Sequence, residues 1–121
     1  MNFFEQQLRR FTGKTTAFKS DKVVYTGRAC FIPLSGGRTA RMEFATNGHG
    51  GHYDTLQITI IGNTEGKIDC LRLHFIDHFA RRNGIPYIWE DGNEIDWYTA
   101  PTATEITQLA QTAHDYIQLF A

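Results

Sequence analysis

Between Thr55 and Ile61 the chain alternates strictly: Leu56, Ile58 and Ile60 are apolar, while Thr55, Gln57 and Thr59 are polar. A period of two is the signature of a strand with one buried face. Thr39–Thr46 repeats it, with Ala40, Met42 and Phe44 on one side and Arg41 and Glu43 on the other. In 67–76 Leu71, Leu73 and Phe75 form a third such face, and 22–34 is rich in the β-branched and aromatic residues that strands favour. Gly27 falls inside that last run and predicts a bulge or a close approach. Ser35-Gly36-Gly37 and 62–66 read as tight turns, and the glycine-rich stretch 47–51 as a longer connection.

Two segments switch to the helical period. Phe4, Leu8 and Phe11 recur at the helical spacing, with Asn2 and Glu5 as a capping pair and Gly13 as a left-handed stop. Arg9 and Arg10 fall in the last turn, where cations complement the helix dipole. Near the C-terminus, Thr102 and Glu105 mark a helix start behind Pro101. Ile106, Leu109, Ala110, Ala113, Tyr116 (or Ile117) and Phe120 then form an apolar stripe of the kind that packs on a sheet. Between these lies a short hairpin, because Asp91-Gly92 is a strong two-residue turn signal. A turn there pairs Glu90 with Asn93, Trp89 with Glu94 and Ile88 with Ile95. The expected fold is α+β, one domain over 1–121. It is a four- to five-stranded antiparallel meander with the C-terminal helix packed on one face and a short N-terminal helix near an edge.

Composition agrees with a single packed domain. Of the 121 residues 41% are hydrophobic and 21% charged, which excludes a disordered chain. No apolar stretch approaches the roughly 20 residues that span a bilayer. The first residues lack the basic-then-apolar build of a secretory signal, so the expected location is the cytoplasm, with no membrane partner. Cys30 and Cys70 lie in apolar runs and read as two buried, inert thiols.

Charge changes the picture more. Residues 1–42 carry eight Lys/Arg against Glu5 and Asp21, a local charge of +6, whereas 43–121 carry four against eleven carboxylates, a charge of −7. The overall −1 hides this split. A basic stretch points first to nucleic acid, with Lys14, Lys19, Lys22, Arg28, Arg38 and Arg41 as phosphate contacts and Phe18 or Tyr25 as stacking platforms. The acidic side is concentrated in the hairpin: Glu90, Asp91, Glu94 and Asp96 lie close to Tyr87 and Trp89, and a two-residue turn puts Tyr87, Trp89, Glu94 and Asp96 on one face. Aromatics beside carboxylates suit recognition of a basic protein partner.

The catalytic signatures are weak. Gly13-Lys14-Thr15 resembles the end of a phosphate-binding loop, but Leu8 stands where the first glycine belongs. Neither cysteine has a histidine beside it in sequence, and the only two serines lie in turns. His49 and His52, with His74 and His78, are the candidate metal ligands; imidazole with Asp54 or Asp77 suits zinc or iron, yet the spacings match no established motif.

The stretches Tyr53–Asp69 and Pro86–Tyr98 together resemble small uncharacterised proteins carried on conjugative elements and prophages of Gram-positive bacteria. The resemblance implies a mobile-element accessory protein and brings no activity, cofactor or catalytic residue with it. Such proteins often bind host or element proteins, for example as inhibitors of CRISPR or restriction systems. The leading expectation is therefore a non-catalytic protein-binding module without a cofactor, its surface Tyr87, Trp89, Glu90, Asp91, Glu94 and Asp96. A nucleic-acid-binding module built on the basic N-terminal third is the second expectation, and a metal-dependent hydrolase at the four histidines the third.

Overall fold

The computed structural model describes residues 3–14, 20–46, 53–74, 87–90, 93–96 and 103–121. Helix α1 (Phe3–Thr12) leads into five strands, β1 (Val24–Thr26), β2 (Ala29–Pro33), β3 (Thr39–Thr46), β4 (Tyr53–Ile61) and β5 (Lys67–His74). A hairpin of β6 (Tyr87–Glu90) and β7 (Asn93–Asp96) follows, and helix α2 (Ala103–Gln118) closes the chain. The five strands form one antiparallel meander in the order β1-β2-β3-β4-β5, and β6 and β7 pair with each other in a sheet of their own. The architecture is the expected α+β fold.

Register explains which residues are buried. Cys30, Met42, Ile58 and Leu71 lie in one cross-strand row, and Phe44, Leu56 and Leu73 in a second. Each row crosses strands whose even-numbered residues of β2–β4 share one side of the pleat. Cys30, Ile32, Ala40, Met42, Leu56, Ile58 and Ile60 are fully shielded from solvent, and Phe44 nearly so. Their cover is α1, which supplies Leu8 and Phe11, and α2, which supplies Ile106, Ala110, Ala113 and Ile117. Phe11 meets Phe44 with ring centroids 5.9 Å apart at a tilted angle of 59°. Such offset aromatic pairs add attraction beyond the area they bury. Of the two residues the helical stripe left open, Ile117 points fully into the core while Tyr116 stays half-buried at its rim.

Several sequence expectations need correction. The run 22–34 is two strands, because Gly27 has φ of 59° and closes a two-residue turn between Thr26 and Ala29 instead of forming a bulge. Gly13 ends α1 without a positive φ. Its N–H bonds the Arg9 carbonyl at 2.9 Å, and a Cβ there would sit 3.1 Å from that same oxygen. An added methyl at Gly13 would therefore require the last turn to give by a few tenths of an ångström. β5 ends at His74, so Phe75 lies outside the described residues, as do Asn2, Pro101 and Thr102 and the side chains of Phe4 and Glu105.

Cys70 is the clearest departure. It pairs with Thr59, which pairs with Arg41, so it lies on the face away from the helices and is only half-buried. Cys30 is on the core face, three strand spacings away across β3 and β4, or about 14 Å. A disulfide needs Cα atoms within about 7 Å, and both thiols are free.

Among the described residues no helix is long and apolar enough to cross a membrane. If the one-sided core is what holds the sheet, Ile58→Ala should cost about 3–4 kcal/mol in urea unfolding, because a fully buried isoleucine leaves a cavity between sheet and helices. Gln57→Ala, one residue away on the other face, should cost less than about 1 kcal/mol.

Candidate functional site

The hairpin is the first candidate. An antiparallel ladder joins Tyr87 to Asp96, Ile88 to Ile95, Trp89 to Glu94 and Glu90 to Asn93. This is the register that a two-residue turn at 91–92 dictates. Asp91 itself lies outside the described residues. The ladder sets an aromatic residue opposite a carboxylate residue twice, at Tyr87/Asp96 and at Trp89/Glu94.

The basic residues are not brought together in the same way. Lys14 follows α1, Lys22 closes a 3-10 turn (Ser20–Lys22), and both are exposed. Arg28 sits in the β1–β2 turn and Arg38 in the β2–β3 turn, at opposite ends of β2. The Arg38 side chain folds back on its own turn, donating from Nε to the Ser35 carbonyl at 3.1 Å and from Nη2 to Ser35 Oγ at 3.3 Å. Arg41 lies mid-sheet with its Nε 3.1 Å from Glu43 Oε1. That Nε is withdrawn from solvent and not aligned as a hydrogen-bond donor, so the attraction is charge on charge. Lys19 lies outside the described residues.

The face away from the helices carries a polar network that the sequence showed only in part. Glu43, Gln57 and Arg72 form one cross-strand row, and Arg41, Thr59 and Cys70 the next. Arg72 Nη1 donates to Gln57 Oε1 at 2.6 Å, and Gln57 Nε2 approaches Thr59 Oγ1 at 3.5 Å. The Thr59 hydroxyl faces Cys70 Sγ at 3.9 Å. Thr55 and Thr59 are almost completely shielded on this side, at 0% and 2% exposure. Alternation placed Arg41, Glu43, Thr55, Gln57 and Thr59 here, whereas Arg72 and Cys70 were missed. Grouping Leu71 with Leu73 already puts residues 70 and 72 on the other face. Within the network Glu43 is held by Arg41 and Gln57 by Arg72, while the buried Arg41 Nε has no aligned hydrogen-bond acceptor among the described residues.

Two tyrosines tie the helices to the outer strands. Tyr25, on β1, bonds through its hydroxyl to Thr12 Oγ1. The Thr12 hydroxyl also reaches back into α1, 3.1 Å from the Leu8 carbonyl and 3.3 Å from the Arg9 carbonyl. Arg9 lies over the Tyr25 ring, 4.1 Å from its centroid, and holds Glu5 at 2.9 Å. It thus has a second structural role beside the helix dipole. On the opposite edge, the Tyr116 hydroxyl of α2 donates to Asp69 Oδ2 of β5 at 2.7 Å. Burial, then the bond to the Asp69 carboxylate, raises the ionisation of Tyr116 well above the usual phenol range.

Of the proposed metal ligands, His49, His52 and His78 lie outside the described residues, and His74 is the last residue of β5. Among the described residues no group of three or more His, Cys, Asp or Glu could hold a metal ion. On α2, His114 Nδ1 lies 3.4 Å from Asp115 Oδ1 and its Nε2 3.4 Å from the Gln118 amide. This is a local contact of neighbours on one helix.

No protein-family model, curated protein or solved structure matches the chain.

Two outcomes follow from these contacts. Tyr25→Phe removes the hydroxyl pair with Thr12 and should cost about 1 kcal/mol in chemical unfolding, with no change in far-UV circular dichroism. Burial pushes the Cys30 thiol from 9.0 up to about 12. A raised pKa means that this group supports folding fully below pH 9, and that its support is lost as pH rises from there towards 12. Between pH 8 and pH 11 the native chain should therefore lose about 2–3 kcal/mol more unfolding free energy than Cys30→Ala. Equal losses in the two proteins would contradict the assignment.

Proposed function

We propose that this chain is a non-catalytic protein-binding module and that the β6–β7 hairpin is its contact surface. The register carries the reading: each strand alternates, and Tyr87/Asp96 and Trp89/Glu94 are direct cross-strand pairs. Residues directly opposite each other in an antiparallel pair share one side of the ribbon. Two aromatic and two acidic residues thus occupy register positions on a single side, in a stretch, 83–121, whose sequence holds no Lys or Arg.

Large flat rings supply contact area at low entropic cost, and carboxylates steer a basic partner and fix its orientation. A two-stranded ribbon by itself is at best marginally stable in water, so a partner that packs on it also stabilises it. The partner is accordingly a protein that presents Lys or Arg around an apolar centre. The resemblance to mobile-element proteins supplies the setting: an accessory protein acting on a host or element protein, with inhibition of a host defence system such as CRISPR as the specific form. The bonding of Arg72 to Gln57 and the pairing of Arg41 with Glu43 on the five-stranded sheet fit a supporting role for that sheet. The dispersal of Lys14, Lys22, Arg28 and Arg38 weighs against a continuous nucleic-acid track.

Affinity purification from host lysate with mass spectrometry, run in parallel on the native chain and on hairpin variants, tests the proposal. Trp89→Ala, and separately Glu94→Lys with Asp96→Lys, should reduce capture of the specific partner at least about tenfold while leaving the melting transition in place. Capture by both variants at the native level contradicts it. Binding of single- or double-stranded nucleic acid that weakens steeply with salt would instead favour the basic residues.

A further inference from the structure

We draw no further inference here: the strongest candidate, the polar side-chain cluster of Arg41, Glu43, Gln57, Thr59, Cys70 and Arg72 on the sheet face away from the helices, carries nothing because nothing among the described residues shows what covers it.

Discussion

Burial of one face of the meander under two helices is the constraint on which the rest of the structure depends. Ile58 and Met42 sit at the centre of that face, on neighbouring strands β4 and β3 that pair along eight positions, and are completely shielded. An antiparallel sheet can leave one side to polar residues only if the other side is continuously apolar. Each strand therefore has its register fixed, because a slip of one residue would exchange Ile58 for Thr59 and bring Arg41 into the core. The polar network opposite is a consequence of this register. It uses the positions that the core does not: Arg72 bonds Gln57 across strands, and Arg41 pairs with Glu43 along β3.

The sheet edges are the next problem, since an edge strand presents unpaired backbone groups. On β1 the answer is brevity, with three residues, together with the Tyr25–Thr12 bond and the Arg9 guanidinium lying over the ring. On β5 the tie is Tyr116 to Asp69, which anchors the last turns of α2 over the edge. Both ties join residues distant in sequence, 13 and 47 positions apart, so each closes a loop once the core has formed. Neither makes a reactive centre: one couples two hydroxyls, and the other keeps a phenol protonated against a carboxylate.

Much of this was legible in the sequence because period and burial coincide. Leu56, Ile58 and Ile60 announce the central strand, the stripe from Ile106 to Ile117 announces its cover, and Asp91-Gly92 sets a hairpin register that the backbone follows. Glycine was less readable. Gly27 in a β-rich run is compatible with a bulge or with a turn, and only its positive φ together with the Thr26–Ala29 pair decides for the turn. Gly13 looked like a left-handed stop but answers to the Arg9 carbonyl instead. Cys70 was misplaced because neighbouring apolar residues outweighed the alternation that puts it opposite Leu71. Contacts that cross the fold, such as Arg9 with Tyr25 or Tyr116 with Asp69, have no local signature at all.

The functional reading separates a five-stranded sheet packed under helices from a short acidic, aromatic ribbon that pairs only with itself among the described residues. The charge split along the sequence supports that division on its acidic side. The basic third is spread over turns, a helix end and an ion pair, whereas Glu94 and Asp96 share one side of the hairpin by register. Amide hydrogen exchange on the chain alone and with its captured partner addresses this division most directly. The account predicts that the partner adds protection at Tyr87–Glu90 and Asn93–Asp96 and leaves β3–β5 as they were. New protection centred on 41–43, 57–59 and 70–72, with the hairpin unchanged, would contradict it.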